Sequence, residues 1–498
     1  MRLKSIIVQL LCVFIVSNQQ NSKINLKDNN FSSLKTIFED GPENLKATGK
    51  VISNNRPDGE ISIKNSTSYN GDNDYLTPEM FGAKGDGVSD DYKAIQMMLD
   101  KGSEGCTFYF DGKKTYYNAF ANSGKWIEPM KRNIWQRHKS AKFLFNGAKL
   151  TRRTPRWSMR NVKNDYNKGK YYTDDHSALL YLTGENYYID GANFNSNVKK
   201  GNLLDWDEKK TGNYDYAVGT CMEMGLWLDR CKNITITNSS FSHSVFPVYV
   251  TTSKNLNLKN IKLSYAAQAN KRIHSKDQAL GGGIKLQDCS HVVMTGIIGF
   301  RNLNDTVELE SYNNDIKVQG SSTYDYSNSL VVSYSQDIEL DWEATHVISG
   351  SGVLIRGGES KKQTKNIKGR ITVSDTSWAG VLFWLIHEAK NSIDNIDLDI
   401  KTANTGYTGL FLNNESENEA IKGLRLKHDS KNDGTATGIA RIFNNKVSGV
   451  CTGSTSNALV GVKTNGRNAD SSMSVKFTFG PGFQTKYETG KSAKLITP

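Results

Sequence analysis

The chain predicts an all-β fold of one kind, a parallel β-helix opened by a short N-terminal helix. Three observations carry that expectation. Strand-like segments recur along the chain, each alternates apolar and polar residues, and turn formers abound, with 43 glycines and only 8 prolines among 498 residues. Glycine and asparagine supply the tight turns that many short strands need, and few prolines leave ladder hydrogen bonds intact.

The chain begins MRLKSIIVQLLCVFIVSNQQ, with Arg2 and Lys4 ahead of an apolar run that ends at Val16. That run is short for a membrane span and suits a secretory signal over residues 1–20. The expected localisation is secreted or periplasmic, with no membrane span. Residues 21–74 are polar and Asn-rich and read as an N-terminal extension.

FGAKGDGVSDD, residues 81–91, is the first folded signal. A phosphate loop would end in Lys-Ser/Thr at a helix start, and here Lys84 comes too early. A calcium loop needs alternating carboxylates and a closing Glu, which Asp86, Asp90 and Asp91 do not supply. The glycines serve a bend, and Asp90 or Asp91 caps a helix whose stripe is Ala94, Ile95, Met98 and Leu99. The longer stretch TPEMFGAKGDGVSDDYKAIQMML resembles the opening motif of the pectate-lyase-like superfamily. That superfamily includes polygalacturonases, some glucanases and lyases, and many phage tailspikes. The resemblance implies a right-handed parallel β-helix. The motif carries no catalytic residue and so implies no mechanism.

The β-helix is expected over 75–460. Segments led by a small or turn-forming residue start at Asn233, Asn255, His291, Asp315, Asp337, Asn366, Asn395 and Gly423, spaced by 22, 36, 24, 22, 29, 29 and 28 residues. Each follows a shorter strand such as GLWL, VYV, GIKL or VELE. Stacked coils of this kind bury a core that no single coil could bury alone. A β-sandwich would not require so regular a strand–turn–strand succession. Residues 461–498 are expected to cap the last coil. Cys231, Ser253 and Cys289 each follow a strand by the same offset, which reads as one ladder position. Two coils at about 4.8 Å each exceed the ~7 Å reach of a disulfide between Cys231 and Cys289.

Charge is uneven. Residues 121–170 hold 14 Lys or Arg against Glu128 and Asp165, which accounts for the whole formal net charge of +12. Arg152, Arg153 and Arg156 lie there, with Trp126, Trp135 and Trp157 interleaved. Such a segment is either a solvated basic surface or a polyanion-binding one. With a secretory signal and a β-helix, the expected partner is an acidic polysaccharide, not a nucleic acid.

Alternation turns Leu226 and Leu228 inward and Trp227 outward. The same rule puts Tyr249, Lys285, Glu308 and Glu310 on the outward face of successive coils. Turns at its rim bring Glu223, His243, Arg301, Asn302 and Asp305. An insertion, KRIHSKDQALGGG, brings Arg272, His274 and Lys276. Trp227, Arg152, Arg153, Arg156, Lys276, Arg272, Asn302 and Glu310 are the expected substrate contacts. β-Elimination on a uronate polymer needs a cation for the carboxylate and groups that exchange protons. Lys285, Arg301, His243, His274 and Tyr249 offer these, so a polysaccharide lyase is the first reading, with calcium assistance left open. Hydrolysis needs two carboxylates, for which Glu308 and Asp305 serve. The polygalacturonase pattern has an adjacent Asp pair, whereas NLNDTVELE offers Asp305 alone. A tailspike-like binding protein, a tight trimer, is the non-catalytic alternative. The structural alternatives are plain too: His243 closing a turn, and Lys285 with Glu308 as an exposed ion pair.

Overall fold

The computed structural model describes residues 75–118, 133–136, 140–152, 176–197, 222–266, 282–358, 362–434, 438–464, 472–482, 485–489 and 494–496. The expected signal segment and 21–74 extension, most of the basic segment, and Arg153, Arg156, Arg272, His274 and Lys276 lie outside the described residues.

Among the described residues thirty strands pair in parallel, each with the strand one coil away, so the chain winds as a β-helix. From Phe246 to Phe479 each coil has a short strand and a longer one, as in Ile284–Gln287 followed by Ser290–Phe300. Early long strands bend at Asn238, Asn260 and Gly296, all with positive φ, and so serve two faces. The result is three parallel ladders along one axis. An inward column on the second face runs Phe108, Phe143, Ile189, Ile236, Leu258, Met294, Val318, Leu340. On the first face the column is Leu182, Leu228, Val250, Leu286, Leu309, Val332, Ile355, Phe383, Leu412. All of these are buried, and at about 25 cal/mol per Å2 of apolar surface such stacks dominate the folding energy.

Size is matched across coils. Trp342 is fully buried and donates from Nε1 to Ser329 Oγ at 2.6 Å. Its register partner one coil earlier is Gly320, where a Cβ would come within 2.9 Å of the indole ring. The parallel pairing continues beyond residue 460, through Val460–Thr464, Ser472–Phe479, Thr485–Thr489 and Lys494–Ile496.

The opening motif folds by carboxylates, though not as a helix cap. The helix is Tyr92–Lys101, and it buries Ala94, Ile95, Met98 and Leu99. Asp91 occupies the N-cap position without a side-chain cap bond. Its carboxylate instead accepts from the backbone N–H of Lys84 at 2.7 Å and of Tyr117 at 3.1 Å, tying the glycine loop to the first coil. Asp90 accepts from the Tyr92 N–H, and Asp86 from those of Val88 and Ser89.

The corners explain the asparagines. Asn186, Asn233 and Asn255 are left-handed and linked side chain to side chain at 2.9 Å. A second ladder joins Asp375, Asn404, Asn432 and Asn457. Asn tolerates the left-handed conformation that other L-residues reach at about 1–2 kcal/mol. Cys231 and Cys289 are buried free thiols at a nearby corner, with Ser253 between them in register. The Cys231 N–H donates to Ser253 Oγ at 2.8 Å.

The ladder makes a stability prediction. Asn404 is exposed, has φ 55°, donates to Asp375 and accepts from Asn432. Asn404→Ala should lower stability by about 1–3 kcal/mol, since it loses both the amide bonds and the backbone preference. Asn404→Gly should recover about 1 kcal/mol of that loss. Denaturant titration of the three proteins checks the order.

Candidate functional site

The outward face of the first ladder has two side-chain columns. One runs Tyr181, Trp227, Tyr249, Lys285, Glu308, Val331, Leu354, Leu382, Phe411. The other contains Asp229, Thr251, Gln287 and Glu310, and further along Ser333, Arg356, Trp384 and Asn413. Aromatic groups thus lie towards both ends, as Tyr181, Trp227 and Tyr249 at one and Trp384 and Phe411 at the other, and charged groups gather between them.

Lys285 is the centre of that middle. Its ammonium lies 2.6 Å from Glu310 Oε2 and 3.2 Å from Glu308 Oε1. The Lys285–Glu308 pair is buried, not an exposed cross-strand pair, because Phe246 and Tyr249 pack beside it. The ammonium stands 5.4 Å from the Phe246 ring centroid, and Phe246 stacks on Tyr249. Tyr249 donates its hydroxyl to Gln287 Oε1 at 2.5 Å, and Gln287 Nε2 donates to Glu310 at 3.3 Å. Three successive coils therefore join in one network. Asp305, in the turn before the Glu308 strand, is buried and accepts from Asn328 Nδ2 at 3.2 Å and Asn304 Nδ2 at 3.0 Å.

Burial sorts the protonation states. It disfavours the Lys285 ammonium, but the Glu308 and Glu310 charges outweigh it and hold the proton firmly. Burial also works against ionised Glu310, yet the Lys285 charge and hydrogen bond, with Arg356 behind them, keep its carboxyl below the usual range. Glu308 goes the other way, since burial pushes it up and Lys285 offsets this only in part. Asp305 is held well above the carboxylate range by burial and then by the Glu308 charge. Burial pushes the Tyr249 phenol up to about 12. One outward face thus holds an ionised carboxylate, two carboxyls biased towards the acid form, and a fixed cation. Environments that split titratable groups in this way mark acid/base sites.

The rim groups lie elsewhere. His243 and Arg301 are both left-handed residues of a corner column that runs His243, Tyr265, Arg301, Tyr324, His346. His243 stacks on Tyr265 at 4.9 Å, the Arg301 guanidinium is 5.1 Å from the Phe300 ring, and Tyr324 stacks on His346 at 4.8 Å. Arg152 is buried and reaches the same corner through the register of Asn193–Asn195 with Ser240–Ser242. Asn302 is buried and spends its amide on Thr306 Oγ1 and the Ala266 N–H. Trp227 is half-buried on the outward column, edge-on to Tyr181, and donates to Thr251. Sequence reasoning missed Gln287 as a bridge, and Arg356 and Trp384 as outward groups. Alternation through VLIRG and VLFWL could have found the last two. Among the described residues no group of three or more His, Cys, Asp or Glu is placed to hold a metal ion. No helix among them is long and apolar enough to cross a membrane.

Two predictions follow from the burial. Lys285→Met should destabilise the protein by about 3–5 kcal/mol near neutral pH, because it strands a buried carboxylate. The deficit relative to wild type should shrink as pH falls and the glutamates take up protons, which denaturation at several pH values reads directly. Asp325 accepts from the Asn302 N–H and from Thr306 Oγ1, and burial pushes its carboxyl from 3.8 up to about 7. The folded state favours its acid form, so this contribution is full below the unfolded pKa and fades as pH rises towards 7. Asp325→Asn should flatten that part of the pH–stability curve.

Known proteins share this fold. Residues 179–367 match the family described as "Right handed beta helix region". No curated protein matches the sequence. A hyperthermoactive exopolygalacturonase from Thermotoga maritima superposes with TM-score 0.51 at 12% identity, covering 72% of this chain and 87% of its own. The A-module of an Azotobacter vinelandii mannuronan C-5 epimerase gives 0.46 at 15% identity, covering 84% and 98%. An α-1,3-glucanase catalytic domain gives 0.49 at 11% identity, covering 87% and 71%. The fold is a right-handed parallel β-helix.

Proposed function

We propose that this protein cleaves an acidic polysaccharide by glycosidic hydrolysis at the Lys285–Glu308–Glu310–Asp305 cluster. The observation that carries the reading is the opposed protonation of neighbouring carboxyls in one groove. Glu308 and Glu310 are two residues apart on one strand, so both project outward. Glu308, biased towards the acid form, donates a proton to the leaving oxygen. Glu310, held ionised by Lys285, acts at the anomeric carbon, directly or through water. Asp305 keeps its own proton beside Glu308. Trp227, half-buried on the same face, offers an aromatic surface to a sugar ring. The acidic character of the substrate rests on the basic segment 121–170 and on the cations of the groove. A shared fold with an exopolygalacturonase supports a polysaccharide as the substrate class.

Elimination is the second reading, favoured by one observation: the buried Arg356 guanidinium, close enough to stabilise the charges of Glu308 and Glu310, suits a uronate carboxylate. It lacks a ready base, since Lys285 keeps its proton and Tyr249 titrates near 12.

A panel of pectate, alginate, hyaluronan and chondroitin sulfate separates the two. New reducing ends without ultraviolet absorbance from unsaturated uronate are expected. Glu310→Gln and Glu308→Gln should each lower kcat by about 100- to 10,000-fold. Unsaturated product on any polymer would replace hydrolysis with elimination. Activity retained by both variants would move the reaction away from this cluster.

A further inference from the structure

Beyond the carboxylates, the second outward column carries a cation without a hydrogen-bond or ion-pair partner among the described residues. Arg356 is 3% exposed, on the strand Val353–Gly357. Its side chain makes no hydrogen bond or ion pair among the described residues, and its Nε is buried without a partner. The other cation described in these two columns, Lys285, is engaged by two carboxylates. The next residue in the column is Trp384, whose ring centroid lies 5.3 Å from the guanidinium carbon. Its indole Nε1 is also buried and unpartnered. Two unmet donor groups thus sit together, and neither can accept.

Leaving such groups dry is costly. A buried donor without a partner costs about 1–3 kcal/mol, and more when it is charged. A guanidinium presents a planar fork that matches a carboxylate or a sulfate through two parallel bonds. The position also suits a polymer. Arg356 is two coils from Glu310 in the same column, about 9.6 Å along the axis at roughly 4.8 Å per coil. That separation places it beside a neighbouring sugar, away from the scissile bond.

We propose that Arg356 and Trp384 form a subsite for one anionic substituent, a uronate carboxylate or a sulfate ester, on a sugar adjacent to the one cleaved. The proposal rests on the reading of the groove as a polysaccharide site and names what makes it selective. Arg356 supplies the fork, and Trp384 supplies an N–H at its edge and a face beneath it. Glu308 and Glu310 lie close enough to keep a second anion out of the cleavage position, so the subsite also sets register.

Matched ligand pairs test this by equilibrium binding, apart from turnover. Oligogalacturonate is compared with its methyl ester, and chondroitin sulfate with desulfated chondroitin. Wild-type protein should prefer the charged member of one pair at least tenfold, and the pair identifies carboxylate or sulfate. Arg356→Gln should abolish that preference while neutral-ligand affinity stays unchanged. Arg356→Lys, which keeps the charge without the fork, should retain part of it and guards against a folding defect in the glutamine variant. No preference in the wild type, or a preference that survives Arg356→Gln, overturns the subsite. Cleavage is scored separately on the same ligands. Arg356-dependent binding without any bond cleavage would overturn the hydrolytic reading and leave the subsite standing. Cleavage of an acidic polymer that is indifferent to Arg356 would do the reverse.

Discussion

Every coil must close in register on the one before it, and the rest of the structure depends on that constraint. A parallel ladder repeats about every 4.8 Å, so a side chain's neighbour along the axis is fixed once one coil is placed. Closing the coil forces left-handed corners, and positive φ recurs at matching positions from Asn186 to Asn457. Where the corner residue is Asn or Asp, a side-chain ladder offsets the conformational cost, as between Asn366, Asn395 and Asp337. Where it is His, Tyr or Arg, ring stacking takes over, as between His243 and Tyr265 or Tyr324 and His346.

The same constraint made much of the molecule legible. Period-two alternation gave the inward and outward sense of Leu226, Trp227 and Leu228. Coil spacing then aligned Trp227, Tyr249, Lys285 and Glu308, which the register joins in that order. What alternation cannot supply is distance around the coil. His243 and Arg301 share coils with the groove, yet they face a corner, and their left-handed backbones explain why. Asp91 shows the same limit at short range. A helix-start pattern fixes where the residue stands but not where its carboxylate bonds.

A second illegible feature is the polar core near the C-terminal end. Hydropathy assumes apolar filling, and Leu410 is indeed followed in its inward column by Arg441. Arg441 is fully buried and donates to the carbonyls of His428 and Ser454, with the Phe477 ring 3.8 Å from its guanidinium carbon. Burial lowers the pKa of His428, with Arg441 adding to the effect, so the imidazole is neutral. Thr402 donates to Asp433, which leaves His428 Nε2 as the donor to Thr402 Oγ1. These bonds offset part of the cost of burial, although Arg441 Nε and Nη1 and His428 Nδ1 are buried without a hydrogen-bond partner among the described residues. No single-residue hydropathy would select it.

The groove obeys a stricter rule of the same kind. A buried charge survives only with a counter-charge, so the number of ionised carboxylates there is limited by the number of cations. Lys285 can fully compensate one carboxylate, and Glu310, at 2.6 Å, is nearest. Glu308, farther at 3.2 Å, is left biased towards its proton, and Asp305, with only amide donors, keeps its own. Division of labour among the carboxyls is therefore a consequence of too few cations at close range. Arg356 does not repair the shortage, because it binds neither glutamate directly and acts on them only through space. Its charge is instead left over. With Glu310 paired to Lys285 and the Glu308 and Asp305 carboxyls biased towards the acid form, the Arg356 charge has no ion-pair partner among the described residues.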